Sequence, residues 1–144
     1  MLRFLFLFLG ICQIAAARDD KVYYDNEWVK CSRKHAYYYR IYTMQDSIYK
    51  VDDYYLFDKL YRTGYRTSIN SESIKYRTGH YVFYDSSGYK MREGDYENGK
   101  RSGLWKYYHR HSIALRREEH YQLDSLVGYS YDYDSLSKKI FKKS

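Results

Sequence analysis

The chain has 144 residues, 25 Lys and Arg against 18 Asp and Glu, and a formal net charge of +7, a length that suits one domain with a modest core. Its 22 tyrosines outnumber the six isoleucines, seven leucines and five valines that follow residue 17. That balance argues against a two-sheet core of branched aliphatics and for a thin sheet, because tyrosine combines an apolar body with a wet rim.

Residues 1–17, MLRFLFLFLGICQIAAA, have a basic start, an apolar run from Phe4 to Ile11 and a small-residue close. This is the layout of a secretory signal peptide, too short in its apolar part to span a bilayer, with cleavage expected after Ala17. The protein is therefore expected to be exported, to a periplasmic or extracellular space. A lipid anchor at Cys12 is disfavoured because Ile11 precedes it where such sites want a small residue. After cleavage, 24 basic residues face 18 acidic ones and Cys31 is the single cysteine, which excludes an internal disulfide.

Residues 18–52 form the next segment. AYYYRIYT and SIYKVDDYYL flank MQD, which reads as a hairpin, and the segment is expected to cap the edge that the following repeats would otherwise expose.

Residues 53–137 repeat. Gly79, Gly103 and Gly128 stand in steps of 24 and 25, and Tyr84, Tyr108 and Tyr133 keep the same steps. A fainter copy places Tyr54 and Gly64 thirty residues before Tyr84 and Gly94, the extra length falling in the polar stretch 66–78. Each unit reads as a hairpin: a short aromatic and β-branched run, a turn such as DSSG around Gly88, then a half-polar run ending in YENGK, where Asn98 and Gly99 form a strong turn signal. Residues 113–126 look permissive for a helix in isolation, but their register with 90–99 predicts a strand. Alternation sends Tyr81, Phe83, Trp105 and Tyr107 to one face and Tyr84, Tyr108 and Tyr133 to the other, with equivalent rings about 10 Å apart and intervening side chains filling the gaps. The expected fold is all-β: an elongated, open antiparallel meander of stacked hairpins with a period of about 24 residues.

The pattern G-x-[WY]-x-[YF]-Y, a turn, a charged strand and Y-x-N-G-K resembles the bacterial variant of MORN repeats, found in proteins labelled YwqK-type antitoxins. The resemblance is clearest over 79–128. It implies a scaffold without enzymatic chemistry, held by Gly79, Tyr81, Tyr84, Gly88, Gly94, Tyr96, Gly99, Gly103, Trp105, Tyr108, Tyr121, Gly128 and Tyr133. Three positions depart from it, with Ser112 for Gly88, Glu118 for Gly94 and Asp124 for Gly99.

Candidate chemistry is sparse. His109 and His111 fall in a turn and, with His120, lack an acidic partner set, so neither a metal site nor a cofactor is expected. The lone Cys31 near His35 has the wrong arrangement for nucleophilic catalysis, and no GxSxG, HExxH or phosphate-cradling glycine loop occurs. No small-molecule substrate is expected. Basic residues gather at Lys100 and Arg101, at Arg116 and Arg117, and in the tail 138–144 at Lys138, Lys139, Lys142 and Lys143. Export disfavours nucleic acid. The tail is expected to be a terminal strand whose lysines guard a sheet edge, with contact to an anionic glycan or membrane surface as the alternative. Trp105, Tyr107 and Tyr108 are the candidate ring platform for a glycan. The leading expectation is a non-catalytic scaffold that docks a protein partner in the bacterial cell envelope.

Overall fold

The structure, a computed structural model, describes residues 21–136 and 138–143. The expected leader and Cys12 lie outside the described residues. Among the described residues eleven strands follow one another: β1 Val22–Tyr24, β2 Tyr38–Gln45, β3 Ile48–Tyr55, β4 Leu60–Arg66, β5 Arg77–Tyr84, β6 Lys90–Glu97, β7 Lys100–Tyr108, β8 Leu115–Gln122, β9 Ser125–Leu126, β10 Ser130–Tyr133 and β11 Lys139–Lys143. They pair antiparallel in chain order in one open sheet, except that β9 pairs only with β8. This is the expected meander of hairpins. The helix-permissive stretch is strand β8, as its register required. The expected first hairpin is β2–β3, turning at Asp46. Strand β3 runs across residue 52, so the sheet is continuous from the expected capping segment into the repeats.

The repeat reaches further toward the N-terminus than Tyr54. VYYDNEWVK at 22–30 matches VFYDSSGYK at 82–90 and YDYDSLSKK at 131–139. The structure closes these turns alike: Tyr24 bridges Lys30, Tyr54 pairs Leu60, Tyr84 pairs Lys90, Tyr108 pairs Leu115 and Tyr133 pairs Lys139. In three of the turns an aspartate fixes the loop by accepting two backbone N–H bonds on one oxygen. Asp25 takes those of Glu27 and Val29, Asp85 those of Ser87 and Tyr89, and Asp134 those of Leu136 and Lys138, all at 2.9–3.0 Å. These are Asx turns, a local trap that competes well against extended chain.

Packing within a unit depends on one residue that has no side chain. Between the pairs Glu93↔Lys106 and Asp95↔Ser102, Gly94 alone opposes Gly103 to Trp105. One unit earlier, Gly64 alone opposes Gly79 to Tyr81. The bulge needs a left-handed residue, and Gly79 (φ 66°), Gly103 (φ 68°) and Gly128 (φ 70°) supply it. It also swings the next ring flat across the glycine: a Cβ at Gly94 would collide with the Trp105 indole, and one at Gly64 with the Tyr81 ring. The buried cluster is then Tyr81, Phe83, Tyr96 and Trp105, with Tyr107 and Tyr121 packed against it.

The third unit corrects one expected correspondence. Its turn closes from the His109 N–H to the Ala114 carbonyl, where the second closes from Asp85 to Tyr89, so the extra residue lies in the turn. Everything beyond it shifts by one, and Glu119, opposite Trp105, stands in register with Gly94 in place of Glu118. Its cross-strand neighbour in the following unit is Ser130, where the earlier units have Tyr81 and Trp105. With no ring to admit, the position needs no glycine. Asp124 does keep the role of Gly99, since the N–H of each donates to the carbonyl of the preceding unit's arginine, Gly99 to Arg77 at 2.9 Å and Asp124 to Arg101 at 3.0 Å.

Replacing Gly94 with Ala is expected to cost about 1–3 kcal/mol by overpacking, and Trp105→Ala about 3–5 kcal/mol. In a double-mutant cycle followed by urea denaturation, Gly94→Ala should cost much less once Trp105 is Ala; full additivity would refute the contact.

Candidate functional site

Sheet alternation places Arg40, Asp53, Arg62 and Arg66 on the face that carries Tyr81 and Trp105, and all four are buried. Arg40 donates from Nε to Asp53 Oδ1 at 2.5 Å and from Nη2 to Oδ2 at 3.2 Å, and Arg62 Nε donates to the same carboxylate. Arg40 Nη1 reaches the Tyr42 hydroxyl at 3.0 Å and the Glu72 carboxylate, which also accepts from the Tyr24 hydroxyl at 2.7 Å. Arg66 donates to the carbonyls of Ser68, Ser71 and Ser73 and so fastens the 67–76 loop over this face. From the other end of the sheet Trp28, in a left-handed conformation (φ 64°), stacks on Tyr38 at 4.5 Å and lies 4.3 Å from the Arg62 guanidinium. Burial pushes the Tyr24 phenol well above its ordinary range. Burial also works to raise Glu72, but Tyr24 and Arg40 outweigh it and hold the carboxyl below the usual value. Arg77 is lowered, first by burial and then by Arg62, and its guanidinium lies over the Tyr81 and Tyr96 rings. This network was not anticipated from sequence. Its signal was Asp53 standing at an inward position of an alternating strand, with Arg40 and Arg62 in register on either side.

Rings pass contact along the sheet, Tyr81 to Tyr96 at 5.0 Å, Tyr96 to Trp105 at 5.1 Å, and Trp105 to Tyr107 at 6.4 Å, so Tyr96 fills the gap between equivalent rings. Arg101 lies over Tyr121 at 3.8 Å as Arg77 lies over Tyr96. On the opposite face Tyr108 donates to Glu93 and Tyr133 to Glu118, while the Tyr84 carbonyl accepts from Tyr55 at 3.3 Å. The ring platform does not assemble: Trp105 is 1% exposed, its indole N–H donates to the Asp95 carbonyl at 3.1 Å, and Tyr107 and Tyr108 point to opposite faces. The period that repeats these rings is the period that buries them. Lys139, with Lys142 and Lys143, belongs to β11, the last strand of the sheet, and Lys139 sits 3.5 Å from the Tyr131 ring centre. Lys138 closes the preceding turn through its carbonyl.

The histidines lie apart. His109 Nε2 is 3.1 Å from the Tyr133 carbonyl, His111 Nδ1 is 3.5 Å from Asp85, and His80 Nδ1 is 3.0 Å from Asp95. Among the described residues no three His, Cys, Asp or Glu side chains converge as metal ligands. Cys31 is half-buried and free.

Meander topology brings the turns 25–29, 56–59, 85–89, 109–114 and 134–138 to one end of the sheet. Exposed apolar side chains crown that end, among them Phe57 (61% exposed), Ile113 (89%) and Leu136 (74%), with Leu56 and Tyr89. Between the second and third repeat turns a cleft of about 810 Å³ opens, lined by Asp85, Lys90, Met91, Arg92, Tyr107, Tyr108, His109, Arg110, His111 and Arg116. No protein-family model matches the chain, and no curated protein or solved structure is significantly similar to it.

Two outcomes follow, one from the buried network and one from the tyrosine contacts. Asp53→Ala leaves Arg40 and Arg62 buried without their counter-charge and is expected to cost about 3–5 kcal/mol in denaturant unfolding. On the alkaline side, burial raises Tyr55 and Tyr81 to about 12, and the bond to Glu118, then burial, raises Tyr133 to about 12. The folded values exceed the unfolded value of 10.0, so this stability is complete below pH 10 and is lost as pH climbs toward 12. Loss of β circular dichroism should coincide with a late rise of tyrosinate absorbance; all phenols ionising near 10 with the sheet intact would contradict this.

Proposed function

We propose that the protein is an exported, non-catalytic repeat scaffold that docks a protein partner in the cell envelope through the turn-bearing end of its sheet. The observation that carries this reading is the row of exposed apolar tips, Leu56, Phe57, Tyr89, Ile113 and Leu136, set on turns whose backbones are pinned by repeated hydrogen bonds. Apolar side chains held out on fixed loops cost little further ordering on binding, and contiguous exposed apolar surface is the usual mark of a protein contact. The resemblance to MORN-type repeats, which implies a scaffold, supports the same reading, as does the leader-like sequence of residues 1–17 for export.

A second reading, contact with an anionic glycan or lipid surface through Lys138, Lys139, Lys142 and Lys143, draws on the basic character of the edge strand. Pelleting with anionic vesicles across a salt series separates the two, since that mode weakens steeply with added salt.

A photo-crosslinker placed at Phe57 or Ile113 in the native envelope is expected to give one discrete adduct. The combined Phe57→Ser, Ile113→Ser and Leu136→Ser variant should lose that partner from co-purification while melting within a few degrees of the wild type. Met44 is exposed at the opposite end of the sheet and serves as the control position. Adducts of equal yield from Met44, or unchanged capture by the triple variant, would count against docking at this end.

A further inference from the structure

The cleft between the turns 85–89 and 109–114 carries an unusual charge arrangement. Four fixed cations, Lys90, Arg92, Arg110 and Arg116, line it together with two imidazoles and one carboxylate, Asp85. That carboxylate is occupied: one oxygen accepts the Ser87 and Tyr89 amides at 2.9 and 3.0 Å, and the other faces His111 at 3.5 Å. Lys90 is paired with Glu93 at 2.8 Å. Among the described residues, no carboxylate lies within ion-pair distance of Arg92, Arg110 or Arg116. All three guanidinium-bearing residues are exposed, and Arg92 is steadied 4.5 Å over the Phe83 ring, which orders its fork without consuming its charge. Elsewhere in the sheet guanidinium groups are used up by the molecule itself, as Arg40 and Arg62 by Asp53 and Arg117 by Asp132 at 2.5 Å. The cleft is where they are left over.

We infer that this cleft is a binding site for a phosphate monoester carried on a sugar. Three guanidinium groups lack a carboxylate partner, and although Arg110 gives its Nε to His111 Nε2 at 3.2 Å its two terminal nitrogens remain. Such forks match the bidentate geometry of a tetrahedral dianion, whereas a single carboxylate would leave most of their charge uncompensated. The cleft volume of about 810 Å³ is far larger than a bare phosphate and falls within the range of sites that hold small organic ligands. Beyond the cations the cleft is lined by Tyr107 and Tyr108, one from each face of the sheet and the latter with its hydroxyl already given to Glu93, and by the Met91 thioether, so that one ring edge and the thioether offer apolar surface to a sugar. The site uses different side chains from the apolar tips at Phe57 and Leu136, so it stands or falls independently of protein docking.

The test is isothermal titration of the full mature chain with a hexose 6-phosphate, against inorganic phosphate, the uncharged hexose, a hexuronate, and vesicles containing an anionic phospholipid. The hexose phosphate is expected to bind about tenfold or more tightly than the hexuronate or inorganic phosphate, with affinity falling as salt rises. Arg110→Ala and Arg116→Ala are exposed changes in or beside a turn, and each should weaken binding about tenfold with an unchanged melting curve. Arg116→Lys, which keeps the charge and loses the fork, should recover only part of it. No measurable heat with the hexose phosphate, equal binding of hexuronate and phosphate ester, or indifference to both alanine variants would each overturn the site. Equal binding of inorganic phosphate would remove the sugar from the proposal, and tighter binding to vesicles would assign the cleft to lipid headgroups instead.

Discussion

In a sheet with a single layer, a large ring can be buried only by its neighbours on the same face, and it can lie down only where the next strand offers no side chain. Gly94 beneath Trp105 and Gly64 beneath Tyr81 meet that condition. The bulge that turns the ring across the gap needs a residue at positive φ, which is why Gly103 and Gly79 accompany them. Once the indole is flat, Tyr96 packs against it edge-on and passes contact back to Tyr81. Two glycines and a ring thus act as one device, and its repetition is what the period of about 24 residues encodes.

The N-terminal strands solve the same burial problem with charge. Asp53 balances Arg40 and Arg62 in the interior, Glu72 and Tyr24 complete the hydrogen bonding, and Trp28 closes over the guanidinium groups. Buried ion pairs contribute less to stability than rings of equal volume, but removing any one member exposes the cost of the rest. The 67–76 insertion belongs to this half, since its glutamate and its carbonyls are partners in the network. Aromatic packing toward the C-terminus and ionic packing toward the N-terminus meet at Arg77 and Tyr81.

Much of this was legible in the sequence. Glycine and tyrosine spacing fixed the strands, their faces and the turn at Asn98–Gly99, because each signal acts through local backbone geometry. The match of VYYDNEWV with VFYDSSGY is equally local but masked, because Trp28 holds the left-handed position taken by Gly88. The slip between Glu118 and Glu119 came from a residue inserted in a turn, which shifts register without altering composition. The ion network and the cleft could not be read in the same way. They join side chains from strands and loops far apart in the chain, and which arginines are paired and which remain unpaired depends on cross-strand register.

The direct probe of the ring-over-glycine core is hydrogen exchange of the Trp105 indole N–H, which donates to the Asp95 carbonyl beneath a sealed ring. The account predicts that it exchanges only with global unfolding, at the rate of the slowest backbone amides of β6 and β7. Exchange orders of magnitude faster than those amides, with the sheet intact, would show that the indole does not lie across Gly94 and would contradict it.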